Sequence, residues 1–137
     1  MIRDTLKIGM TETRKIEVDR SRTISFLGED LRVYATPQLV NDIEHVCLDF
    51  LLTHVDDGEN SVGSAVDIKH TGATLQGMKV DIEVRVVRIE GRAVTFDVSA
   101  RDAIEPICSG THTRFVVNVE KLKQRVAAKA RSAAEIG

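Results

Sequence analysis

Residues 35–54 read A-T-P-Q-L-V-N-D-I-E-H-V-C-L-D-F-L-L-T-H. Leu39, Val40, Ile43, Val46, Cys47, Phe50 and Leu51 recur at spacings of three and four, which places them in one apolar stripe, while Gln38, Asn41, Asp42, His45, Asp49 and Thr53 lie opposite. The spacing predicts a long amphipathic helix. Thr36 is read as its N-cap and Pro37 as its first helical residue, where no N–H is needed. One charge breaks the pattern. At about 100° per residue Glu44 projects beside Val40, Cys47, Leu48 and Leu51, at the edge of the stripe. A carboxylate there is partly desolvated, and it must find a donor or stay protonated.

Outward from this helix the periodicity changes to two. Thr13–Arg20 alternates around Ile16 and Val18, as a strand with one buried face does. Ser21–Tyr34 has no clean period but carries Phe26, Leu27, Leu31, Val33 and Tyr34 just before the helix, so it is read either as a lid over a site or as packing on the core edge. After the turn cluster V-D-D-G-E-N, Ser61–His70 reads as a strand with Val62, Ser64, Val66, Ile68 and His70 on one face and Gly63, Ala65, Asp67 and Lys69 on the other. Met78–Glu90 alternates strongly until Val86-Val87, where a doubled apolar pair predicts a bulge. Gly91 turns a hairpin into Val94, Phe96, Val98 and Ala100, and Ile107–Val117 forms a further long strand. From Asn118 the pattern is helical again, with Leu122, Val126 and Ala130 among Lys and Arg.

A buried helix followed by long antiparallel strands predicts an α+β hotdog arrangement, one curved sheet wrapped around one helix, with a C-terminal surface helix. The 137 residues are read as one domain. The sheet's edges need cover, and side-by-side pairing into a homodimer supplies it.

Composition narrows the function classes. A net charge of −2 without a basic stripe, four Phe, one Tyr and no Trp disfavour nucleic-acid binding. The start M-I-R-D-T-L-K-I-G-M has no apolar targeting core, and no stretch has the length to span a bilayer, so a cytoplasmic protein without membrane partners is expected. Cys47 and Cys108 lack C-x-x-C spacing and read as reduced packing residues, and His45, His54, His70 and His112 show no metal-ligand spacing.

Three residues violate the pattern of their own element: Thr36, Glu44 and His70. By residue type alone Thr36 is either a helix cap or a site hydroxyl. Glu44 is either half of an ion pair or an acid-base group, and His70 is either a satisfied strand-end histidine or a proton carrier. The stretches T-P-Q-L-V-N-D-I-E, S-V-G-S-A-V-D-I-K-H-T-G-A-T-L-Q-G and S-G-T-H-T-R, in this order and spacing, resemble the fluoroacetyl-CoA thioesterase family of hotdog proteins over roughly residues 30–125. The resemblance implies that Thr36, Glu44 and His70 form the catalytic set and that Gly63 and Arg114 bind an acyl-CoA. No cofactor beyond the substrate's own CoA is implied.

Thioester hydrolysis needs a polarised carbonyl, an oxygen nucleophile and a proton for the departing thiolate. Glycine at 63 allows close backbone approach, and Arg114 offers a fork of donors. Glu44 is read as nucleophile or general base, with Thr36 holding the acyl group and His70 protonating. Attack by Thr36 with His70 and Glu44 as a relay is equally compatible with the residue types. The family's lid is rich in phenylalanine where this chain has Leu27, Glu29, Asp30 and Leu31, so a small acyl group is expected without selectivity for fluorine. The alternative is a non-catalytic hotdog module that binds acyl-CoA or a protein in the same groove.

Overall fold

The computed structural model describes residues 1–137. Strand β1 (Thr11–Glu17) is followed by an irregular segment with two 3₁₀ turns, then by helix α1 (Thr36–Leu52). Strands β2 (Glu59–His70), β3 (Lys79–Glu90), β4 (Ala93–Arg101) and β5 (Pro106–Asn118) come next, and α2 (Val119–Ile136) closes the chain. The strands form one antiparallel sheet in the order β1-β3-β4-β5-β2.

Helix α1 buries Leu39, Ile43, Val46, Cys47 and Leu51. Against them stand the alternate residues Val80, Ile82, Val84 and Val86 of β3 and Val94, Phe96 and Val98 of β4, nearly all fully buried. Each such side chain contributes roughly 1.5–3 kcal/mol by leaving water, which makes this face the main anchor of the helix. The helix therefore sits along the concave side of the sheet, in the hotdog arrangement. The hairpin turns at Gly91, whose φ of +57° favours glycine. The expected bulge is present, with the β3–β4 register shifting between Val86 and Arg88.

Two local expectations are corrected. Ala35, not Thr36, is the N-cap of α1, and Thr36 is the first helical residue with Pro37 after it. Pro at either of the first two positions sacrifices no intrahelical bond, so the proline fixes the helix start only to within one residue. The second correction concerns β2. Its pairing with β5 shifts between Gly63 and Ala65, leaving Ser64 as the extra residue of a bulge. Cross-strand partners share a face, so Gly63 with Arg114 and Val66 with His112 face the helix, while Val62 with Phe115 faces solvent. An uninterrupted alternation would have put Gly63 and His70 on opposite faces. The bulge puts them on the same one.

The segment before α1 is tied down. Arg22 spans the Asp42 carboxylate with bonds of 2.9 and 3.2 Å, and the Tyr34 hydroxyl donates to the same group. Further out, Arg20 grips Glu29 at 2.7 and 2.9 Å, and Arg32 meets Glu29 at 3.1 Å. Phe26, Leu27 and Leu31 remain exposed at its tip. Strand β2 lies at the end of the sheet, with a strand on one side only. No helix is long and apolar enough to cross a membrane.

Candidate active site

The polar residues on the helix-facing side fall into two groups. At the start of α1, with no capping duty, the Thr36 hydroxyl is free to reach across to the last residue of β2. Its Oγ1 lies 2.7 Å from His70 Nδ1. The imidazole is half-buried, its edge meets the Tyr34 ring at a centroid distance of 6.2 Å, and its Nε2 is buried without a hydrogen-bond partner. Burial lowers the His70 pKa, opposed in part by the backbone of Gly72, so the neutral ring is favoured.

The second group lies two turns along α1. Glu44, Gly63, Arg114 and His112 converge on one point, the position a Cβ on Gly63 would occupy. Glu44 Oε1 is 3.1 Å from it, His112 Cε1 3.3 Å and Arg114 Nη1 3.5 Å. No hydrogen bond joins Glu44 to Arg114, although both flank this point; the guanidinium is committed elsewhere. Nε donates to Ser61 Oγ at 2.7 Å, Nη2 to the Ser61 carbonyl at 2.9 Å, and Nη1 meets His112 Nε2 at 3.3 Å. Arg114 is buried, and desolvation lowers its pKa, with the Glu44 carboxylate the largest opposing influence. A charge so placed keeps its field, because little water is present to screen it.

All five residues singled out in the sequence thus reach the helix-facing side, but they do not form one cluster. Thr36 and His70 meet, and Glu44, Gly63 and Arg114 meet. Eight residues of helix, about 12 Å, separate Thr36 from Glu44, and seven residues of strand separate Gly63 from His70, roughly 20 Å. The residue that sequence reasoning missed is His112. It is almost wholly buried two residues before Arg114, on the same inward face of β5. No cluster of His, Cys, Asp and Glu suited to holding a metal ion is present. Both thiols are pushed up by burial, Cys47 to about 12 and Cys108 to about 11, in keeping with packing roles.

Solved structures of similar shape establish the class. A hot-dog-like protein from Thermanaerovibrio acidaminovorans superposes with a TM-score of 0.83 at 24% identity, covering 89% of this chain and 91% of that one. The fold is that of the hotdog proteins. The family model described as fluoroacetyl-CoA-specific thioesterase matches residues 18–120. The fluoroacetyl-CoA thioesterase of Streptantibioticus cattleyicolor is 31% identical over 135 residues, which span 93% of this chain and 97% of that protein. A solved structure of the fluoroacetyl-CoA thioesterase FlK matches with a TM-score of 0.84 at 31% identity, covering 92% of this chain and 98% of that one. The chain belongs to the fluoroacetyl-CoA-specific thioesterase family, a family of thioester hydrolases.

Proposed function

We propose that the protein hydrolyses a short or small acyl-CoA to the free acid and CoA, without selectivity for fluoroacetyl-CoA, and that it does so as a homodimer. The observation that carries the reading is the gap above Gly63. A carboxylate and a buried guanidinium flank a backbone that presents no side chain, so a thioester carbonyl brought to Gly63 would meet both groups. Arg114 and the Gly63 N–H stabilise the oxyanion while Glu44 attacks or activates water. His70, neutral with Nδ1 accepting from the Thr36 hydroxyl, presents Nε2–H to the departing CoA sulfur as a hydrogen-bond donor, and the thiolate takes its proton from solvent. The Thr36–His70 bond favours a second route on the same residues, in which His70 takes the Thr36 proton and Thr36 attacks.

Pairing explains how two separated groups act together. The free edge of β2 carries Val66 on the helix-facing side at 45% exposure. Antiparallel pairing of this edge with a second copy, centred near Val66, lays the His70 end of one β2 beside Gly63 of the other. Each site then takes Glu44, Gly63 and Arg114 from one copy and Thr36 and His70 from the second. The cytoplasm supplies the CoA thioesters such a site requires.

The test is thiol release from acetyl-, fluoroacetyl-, propionyl-, butyryl-, benzoyl- and palmitoyl-CoA by wild type, Glu44→Ala and His70→Ala. Turnover of small acyl groups, comparable for acetyl and fluoroacetyl and lost in both folded variants, is expected. No release from any substrate would put a binding module in place of the enzyme, and palmitoyl-CoA turned over as fast as acetyl-CoA would remove the small acyl pocket.

A further inference from the structure

His112 stands on β5 between the bulge of β2 and the guanidinium of Arg114. Its Nδ1 lies 2.9 Å from the carbonyl of Ala65, the residue directly after the bulge. A carbonyl only accepts, so Nδ1 carries the proton. In a neutral ring Nε2 is then left as an acceptor, and it faces Arg114 Nη1 at 3.3 Å. The ring is 1% exposed, and burial lowers its pKa most, with Arg114 acting in the same sense and the Ala65 carbonyl and Glu44 opposing. With Nε and Nη2 of the arginine already bound to Ser61, the bond to His112 fixes the third side of the fork. The guanidinium is planar and moves as one body, so without this bond its plane could tilt on the Ser61 contacts and bring Nη1 toward Glu44.

We propose that His112 is a positioning residue. The Ala65 carbonyl sets its tautomer, and its Nε2 holds the plane of the Arg114 guanidinium against tilting toward Glu44, so that the cation stays facing the reacting carbonyl. The β2 bulge, through Ala65, thereby orients an arginine on the neighbouring strand. The assignment rests on the thioesterase reading for its kinetic consequences, but the tautomer and the arginine contact do not depend on it.

Two measurements on the full chain test it. The first is a ¹⁵N–¹H NMR spectrum of the ring nitrogens in wild type and Arg114→Ala. A protonated Nδ1 and an unprotonated, hydrogen-bonded Nε2 are expected, with the Nε2 signal moving in Arg114→Ala; a ring protonated at Nε2 in wild type would overturn the assignment. The second is a kinetic cycle of His112→Ala, His112→Gln, Arg114→Ala and His112→Ala/Arg114→Ala on the best small acyl-CoA. His112→Ala should lower kcat about 10–100-fold, the worth of one hydrogen bond to a charged group. KM should change little. His112→Gln, which restores an acceptor near Nε2, should recover most of the loss, and His112→Ala should cost nothing more once Arg114 is gone. Additive losses, or a glutamine no better than alanine in a folded protein, would refute the positioning role. If wild type hydrolyses no acyl-CoA, the thioesterase reading fails and the NMR result alone decides the tautomer.

Discussion

The two polar groups on the concave side of the sheet are held in opposite ways. Arg114 is buried, bonded on three sides and locked into the β2–β5 ladder, whereas Thr36 and His70 meet through one hydrogen bond between a helix start and a strand end. A group that stabilises developing charge works best when it need not reorganise, while a group that moves a proton needs freedom to exchange partners. The difference in rigidity thus matches the division of labour proposed for the two groups.

The largest effect that could break this comparison is expected at the rigid group. Arg114→Ala should reduce kcat by about 10²–10³, as loss of an oxyanion donor does, with KM altered far less; a change confined to KM would make Arg114 a docking residue only. Gly63→Ala should cost about 10² in activity, because the new Cβ would stand 3.1 Å from Glu44 and 3.3 Å from His112. A fully active Gly63→Ala protein would dismiss the gap as the reacting position.

Asp42 sharpens the comparison from the side of the looser group, since it holds Tyr34, whose ring flanks His70. Asp42→Ala leaves the Tyr34 hydroxyl and the Nε and Nη2 of Arg22 without their acceptor, while Arg22 Nη1 keeps Asp19. With the Arg22 side chain 28% exposed, water recovers part of the loss, and about 2 kcal/mol of destabilisation is expected. For a chain of this size that is a fall in melting temperature of roughly 5–10 °C, and an unchanged value would mean that the segment before α1 is not anchored there.

A smaller effect is expected with pH. His70 and His112 both have pKa values lowered from 6.5 by burial. The folded state therefore binds fewer protons than the unfolded chain just below that value, so stability declines as pH falls through 6.5. The acid limb of kcat/KM, reporting His70, should lie below 6.5, in contrast to an exposed histidine. A limb at or above 6.5 would place His70 in water and remove the burial argument.

Much of this was readable from residues 35–54, because a helix buried along one stripe writes that stripe into its sequence at a fixed period. Glu44 was readable for the same reason, as a carboxylate out of place on an apolar edge. Gly63 was found through the family resemblance, but its face was assigned wrongly. A bulge at Ser64 leaves no apolar doublet of the kind that exposed the bulge after Val86. His112 passed unnoticed because buried polar residues imitate a solvent-facing alternation, and only the register with β2 shows which face is inward. The distance between Thr36 and Glu44, eight residues of helix, was readable from the rise alone, whereas which polar groups stand together across the sheet was not, because that depends on the strand register.

The measurement that tests the composite site most directly is complementation between two inactive variants. Glu44→Ala and His70→Ala proteins, mixed under conditions that exchange subunits, form mixed dimers carrying one intact site each. About a quarter of wild-type thioesterase activity should return, as half the dimers are mixed and each has one of two sites restored. A mixture that stays as inactive as its parents, with exchange verified by mass, would contradict the account and confine the working site to a single chain.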